Sequence, residues 1–345
     1  MFTRPWRSLT SRITPRQVSI ASMSTATTKS AHDIAISSFN SNHSLYDIYR
    51  PSFTPIIVDP FLVDLNLATY NKQDNTFTFD NDKHIVELAC GTGKFTKNLI
   101  DNGWGQNLSV VDPSKGMLQT FKQNFPQVNN VVQASSYNTP FDDNSVDAVI
   151  IAQGFHWFAD EESLREIHRI LKPNGKLGLI WNFDYISPSQ DSIVRESNYY
   201  NAGTRYYQDL DLKSNKNNQE LLLQQYFANQ KWNDEVTKYV YSFDVKVPQY
   251  RHGKWRSILL SNPYFENKVL DSFALYDKLI DKDDVWKYWE TRSYITDLPQ
   301  EKRDEVKAHI EDIIAKNTTD ESYDKETNRL IKPMGTHTVV VPVKK

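Results

Sequence analysis

The chain has 345 residues, enough for one large domain with a sizeable core, and its 39% apolar and 24% charged residues suit a globular protein. Forty Lys and Arg against 43 Asp and Glu give a net charge of −3, so no overall basic field draws the chain to nucleic acid. The single cysteine, Cys90, excludes an intramolecular disulfide and a cysteine-cluster metal site, and no run approaches the roughly 18 apolar residues that cross a bilayer.

Residues 1–37 read as a transit or disordered segment. The first 30 carry Arg4, Arg7, Arg12, Arg16 and Lys29, many Ser and Thr, and no acid before Asp33, without the continuous apolar core of a secretory signal. Mitochondrial import is the expectation; initiation at Met23 would instead leave a leaderless, cytoplasmic form. From Ser38 to Leu67 one or two helices are predicted, with Arg50 restricted by Pro51 and a new start near Pro60. Residues 71–83, rich in Asn and Asp, read as an exposed connector.

The next hundred residues alternate strand and helix. Strands are predicted at about 84–89, 108–112, 131–134, 146–152 and 176–182, with helices near 94–102, 114–124 and 160–171, which argues for a parallel sheet covered on both faces. In such sheets ligands gather at the carboxyl ends of strands, where Gly91, Asp112, Ser135 and Gln153 all fall. Ile85, Val86 and Leu88 stop at Gly91-Thr92-Gly93, where helical periodicity begins. Glycine lets backbone approach a bound group, and Asp112, about 20 residues on, offers a carboxylate to ribose hydroxyls. Together these parts describe a nucleoside site. Thr96 stands where a dinucleotide fingerprint has its third glycine, and a P-loop would need glycine at Leu88 and Ser or Thr at Phe95. Glu87, an acid inside an apolar strand, needs a cation or several donors. Cys90 reads as a small residue filling strand-end space or as a reactive thiol.

Glu87-Leu88-Ala89-Cys90-Gly91-Thr92-Gly93 resembles the first motif of class I S-adenosylmethionine-dependent methyltransferases. Pro113-Ser114, Met117-Leu118, Ala134 to Phe141, Val146 to Ile151 and Leu171 to Leu177 resemble the family's later segments in order; the Ala152 to Phe158 run, Tyr49-Arg50-Pro51 and Trp255-Arg256 resemble the trans-aconitate-methyltransferase-like, small-molecule branch. The resemblance implies an α/β, Rossmann-like, seven-stranded and mostly parallel sheet with helices on both faces, its last strand antiparallel, plus helical cap elements. It implies one methyltransferase domain over 38–345, with 186–255 a helical cap insertion, and final strands near 267–273 and 336–343. A helix is predicted over Lys282–Ile295 and another over Gln300–Lys316, the latter rich in charge pairs.

By the same resemblance S-adenosylmethionine is the cofactor, held by Glu87, Ala89, Gly91, Gly93, Asp112, Met117, Ser135, Ser136 and Gln153. His156 and Trp157 are the catalytic candidates: His156 as a base, as a donor positioning a carboxylate, or with Trp157 as cavity wall. Phe155, Trp157 and Tyr49 could face the sulfonium. Tyr46, Tyr49, Arg50, Trp255 and Arg256 are candidates for the substrate or cofactor rim, with ordinary packing the alternative for each. His168, among charges on its helix, is expected to face solvent. No metal-ligand spacing is evident. The expected reaction is in-line methyl transfer to a small-molecule acceptor, first a carboxylic acid, then a lipid-like or xenobiotic compound, with protein less favoured and no nucleic acid. A nicotinamide-dependent oxidoreductase would leave Glu87 unexplained, and a non-catalytic interaction subunit would bind cofactor without turnover.

Overall fold

Eight strands lie side by side in one sheet of the computed structural model, which describes residues 43–186, 205–208, 228–244 and 248–344. The expected transit segment, most of the expected cap and the side chain of Tyr46 lie outside the described residues. Helices α1 (His43–Tyr49) and α2 (Pro55–Asp64) come first, and β1 (Ala68–Asn71) and β2 (Thr76–Phe79) follow as an antiparallel hairpin. This corrects the connector reading of 71–83: Thr-Phe-Thr-Phe alternates at strand period, and Asn75 supplies the positive φ of 55° at the turn.

The central units then arrive in the predicted sequence: β3 (Ile85–Leu88), α3 (Thr96–Asp101), β4 (Leu108–Val111), α4 (Lys115–Asn124), β5 (Asn130–Val132), β6 (Val146–Ala152), α5 (Glu161–Ile170) and β7 (Leu171–Asp184). β3 and β4 are buried at every residue, which is why their apolar runs do not alternate. After them come β8 (Arg205–Gln208), α6 (Lys231–Tyr241), α7 (Lys254–Leu260), β9 (Leu270–Ile280), α8 (Asp284–Glu290), α9 (Ser293–Thr296), α10 (Gln300–Asn317) and β10 (Leu330–Pro342). The order across the sheet is β5-β4-β3-β6-β7-β10-β9-β8. The seven expected strands are present, β10 runs antiparallel to both β7 and β9, and β8 adds an eighth at the edge beside β9.

Each face of the sheet is closed by a different set of helices. On one, Phe61 and Leu65 of α2 lie so close to Gly178 of β7 that a Cβ there would come within 2.7 Å of the Phe61 ring. On the other, Leu164, Ile167 and Ile170 of α5 and Trp255 and Leu259 of α7 pack on Val86, Leu88, Val149 and Ile151. A third cluster joins α6, α8, α9 and α10 around Trp232, Tyr288, Trp289 and Ile310. The helix predicted over Lys282–Ile295 is broken between α8 and α9, and the break presents Arg292 in an extended conformation. α10 carries the predicted ladder, with Lys302–Glu305, Lys307–Glu311 and Lys316–Asp312 pairs on its exposed face.

Candidate active site

The chain leaves β3 with two residues in the left-handed region, Ala89 at φ 56° and Gly91 at φ 57°. Glycine adopts this at no steric cost; Ala89 is held there against its preference, a mark of backbone shaped by something other than packing. Asp112, one residue beyond β4, ties the turn down: one oxygen accepts from the Gly91 N–H at 2.9 Å and the other from the Ser114 N–H at 2.8 Å. Burial raises its pKa to about 6 against the pull of those two bonds. Each carboxylate oxygen keeps capacity for a second donor, such as a ribose hydroxyl.

A cavity of about 1000 Å³, mouth included, opens over this turn. Of the predicted cofactor residues, Ala89, Gly91, Asp112, Met117, Ser136 and Gln153 line it, as does Trp157. Three do not. Gly93 faces the rings of Phe121 and Phe125, and Ser135 turns into its own loop, bridging to Asn138 and accepting from the Tyr137 N–H. Glu87 lies wholly buried beneath the turn, where one oxygen accepts from Thr96 Oγ1 at 2.6 Å and the other has no hydrogen-bond partner among the described residues. Cys90 lines the cavity as a thiol, its pKa pushed well up by burial and then by Asp112 and Glu87, which rules against the reactive-thiolate reading.

Burial lifts the Glu87 pKa from 4.5 to about 8, Thr96 pulling it down and Asp112 pushing it up. A carboxyl with a raised folded-state pKa stabilises fully below its unfolded value and loses that contribution as pH rises through the folded one. Measured as the difference between ligand-free wild type and Glu87→Gln at each pH, the melting temperature of wild type is therefore expected to fall between pH 5 and 8; Asp112 and the buried histidines, whose linkage runs in opposite directions, act on both proteins alike and drop out of the difference. A slope unchanged by the substitution would mean that Glu87 does not titrate in this window.

Beside the first cavity lies a second of about 850 Å³, and Phe53, Lys94, Gln153 and Trp157 line both. Gln153, at φ 61°, donates its side-chain amide to the Asn182 carbonyl at 2.9 Å. The second cavity collects residues from distant elements: Arg50 before α2, His156 after β6, Asp184 at the end of β7, Tyr250 and Arg251, and Arg292 and Tyr294 at the α8–α9 break. Asp184 is fully buried and accepts from Tyr241 and Tyr288 hydroxyls while pairing with Arg292 and with Lys332 at 2.9 Å. Burial alone would raise its pKa; Arg292 and Lys332 overturn that and hold it well below the usual carboxylate range. Arg292 Nε and Tyr294 Oη are buried with no hydrogen-bond partner among the described residues.

Residues 86–179 match the methyltransferase domain family, the stretch that supplies the glycine turn, Asp112 and Gln153. An uncharacterized methyltransferase-like protein of Schizosaccharomyces pombe is 26% identical over 82% of this chain and 88% of its own length. A second uncharacterized methyltransferase of that yeast is 38% identical over 42% of this chain, a match spanning about half, 52%, of the relative. The chain carries a methyltransferase domain and is an S-adenosylmethionine-dependent methyltransferase. A solved geranyl diphosphate C-methyltransferase from Streptomyces coelicolor, with S-adenosylhomocysteine bound, is 14% identical over 84% of this chain and 75% of its own, at a TM-score of 0.37.

The residues of the methyltransferase fit its cofactor on their own terms: a strand-end carboxylate with spare lone pairs and a strained turn, both lining the cavity. Several expected rim residues are elsewhere. Trp255 and Arg256 line neither cavity; Trp255 is buried against Trp181, and Arg256 makes a two-point, buried ion pair with Asp271 at 2.9 and 2.6 Å. Tyr49 packs toward α8 beneath Lys287, and Phe155, fully buried, meets Phe158 edge-on, so neither ring faces a cavity. His168 is half-buried against Tyr264 and Phe265 instead of facing solvent. The sequence reading missed Lys94, Asp184, Tyr241, Arg251, Tyr288, Arg292 and Tyr294; the density of tyrosines and arginines in 239–256 and 286–294 was the only signal present.

Proposed function

We propose that this methyltransferase acts on a small carboxylic acid and forms its methyl ester. The observation that carries the reading is the chemistry of the second cavity. Arg50, Lys94, Arg251 and Arg292 line it with one lining carboxylate, Asp184; Asp244 pairs with Arg251 and Asp47 lies near Lys94, so cations still outnumber carboxylates by one around it. No lining group among the described residues is suited to take a proton from a neutral acceptor. Asp184 already accepts from four partners. His156 is driven down to a pKa of about 3, first by burial and then by His252, Arg50 and Arg292. So weak a base abstracts poorly from an alcohol or amine.

When bound, S-adenosylmethionine supplies a methyl that leaves sulfur without the bonding pair, so the acceptor must bring a pair, and a carboxylate brings one with no proton to lose. Cations line the cavity that joins the cofactor site at Gln153 and Trp157, which suits an acceptor that arrives ionised. His156 accepts from Trp181 Nε1 at its Nδ1 over 3.4 Å, an arrangement that keeps the proton on Nε2 and makes the ring a donor toward an anion. Alignment of the two reactants supplies most of the acceleration, since effective molarity alone is worth roughly 7–11 kcal/mol.

The test is transfer of labelled methyl from S-adenosylmethionine into a fractionated small-molecule extract. The expected label sits in methyl esters of carboxylic acids and is released as methanol by mild alkali. Label that survives alkali, on carbon or nitrogen, would overturn the carboxylate reading while leaving methyl transfer intact.

A further inference from the structure

Lys332 on β10 has no accessible surface and lines neither cavity. Its ammonium meets Asp184 Oδ1 at 2.9 Å and Asn233 Oδ1 at 2.8 Å, and lies 5.0 and 4.9 Å from the ring centroids of Tyr288 and Trp289. Asp184 faces Arg292 as well. One carboxylate thus faces two cationic side chains, and with both ionised the buried group carries a net charge of one positive; burial pulls the Lys332 pKa down, and Asp184 opposes that pull. A pair made only to satisfy Asp184 would need a single cation, and each further buried charge costs several kcal/mol unless something answers it. Tyr288 and Trp289 rings, Asn233 and half of Asp184 answer Lys332 from behind. Of the two cations only Arg292 lines the cavity, as does Tyr294; Arg292 Nε and the Tyr294 hydroxyl are buried without a hydrogen-bond partner among the described residues.

We propose that Lys332 is a positioning residue that shares the charge of Asp184, so that Arg292 keeps an uncompensated positive charge and, with Tyr294, forms the seat for an anionic group of the acceptor. The inference rests on the reading that the acceptor is an anion. It adds a cause for that selectivity in a residue the acceptor never touches. Without Lys332, Asp184 and Arg292 would cancel, and the cavity would lose its preference for charge at that end. With Asp184 neutral, the preference would grow.

The experiment uses the full chain with S-adenosylhomocysteine bound and two probes of one shape, benzoate and benzamide, titrated by calorimetry. Wild type is expected to prefer benzoate. Lys332→Met should weaken benzoate at least about tenfold while benzamide and S-adenosylhomocysteine change by less than about twofold, and Lys332→Arg should keep the preference. Lys332→Met/Asp184→Asn, which restores the net charge, should recover benzoate binding, and Asp184→Asn alone should bind benzoate more tightly than wild type. A merely structural Lys332 moves both probes together and gains nothing from the second substitution, and either result overturns the proposal. If Lys332→Met does not fold, Asp184→Asn decides: weaker benzoate binding there is equally fatal. A wild type indifferent between the probes would remove the anionic-acceptor reading and this inference with it. A wild type that discriminates beside a Lys332→Met that discriminates equally removes this inference alone.

Discussion

Replacing Asp112 by alanine is expected to weaken S-adenosylhomocysteine binding by roughly a hundredfold, about 3 kcal/mol, with the fold retained. Hydrogen bonds to a charged acceptor are worth about 1.5–3 kcal/mol each, and the carboxylate has room for two ribose hydroxyls beyond its bonds to Gly91 and Ser114. The fold should survive because the buried carboxylate is itself strained, its pKa raised to about 6, so removing it also removes a desolvation penalty. Calorimetric titration checks the affinity. An adenosyl analogue without ribose hydroxyls separates the two duties of this side chain, since it should bind wild type and variant alike. Equal weakening of both ligands would mean that Asp112 serves the turn only, and unchanged affinity would remove it from the cofactor site.

Arg256→Met is expected to cost about 3–5 kcal/mol of stability while leaving methyl transfer intact in whatever fraction folds. The guanidinium holds both oxygens of Asp271, and His337 adds a third bond at 2.9 Å. Burial would raise the Asp271 pKa, yet Arg256 and His337 carry it down to about 2. A depressed carboxyl contributes stability above its unfolded pKa and loses it as pH falls toward 2. In the variant the sign should reverse, because an acid stripped of its main partner prefers to be protonated, and mild acidification should then help. Urea unfolding across pH 4–7 tests this. Normal stability together with a raised KM for the acceptor would return Arg256 to the substrate.

The difference between Asp112 and Arg256 shows what the sequence could carry. Asp112 is fixed by local rules: an apolar strand ends, a glycine turn lies one crossover away, and the parallel register of β3 with β4 brings Gly91 and Asp112 within hydrogen-bond reach. Arg256 has no such frame, since it lies on helix α7, its partner sits 15 residues on in strand β9, and nothing in either neighbourhood names the other. The second cavity was illegible for the same reason. Asp184, Arg292 and Lys332 come from β7, the α8–α9 break and β10, and only the antiparallel insertion of β10 beside β7 joins them. The break itself was hidden, because apolar spacing continues from Val285 through Ile295 while Arg292 leaves helical geometry. Glu87 was singled out correctly as a costly buried acid, but its direction beneath the turn depends on Thr96, which is a matter of packing.

Helix α1 rests between α4 and α8, and Asp47 pins it to the glycine turn: its carboxylate accepts from Thr92 Oγ1 at 2.8 Å and lies 3.9 Å from the Lys94 ammonium. Ties of this kind trade readily for water, at about 1 kcal/mol net apiece, whereas an oily hinge would have to expose its interior to swing. The flank of the glycine turn is thus fastened from 45 residues upstream by bonds that water can replace while every strand stays in register.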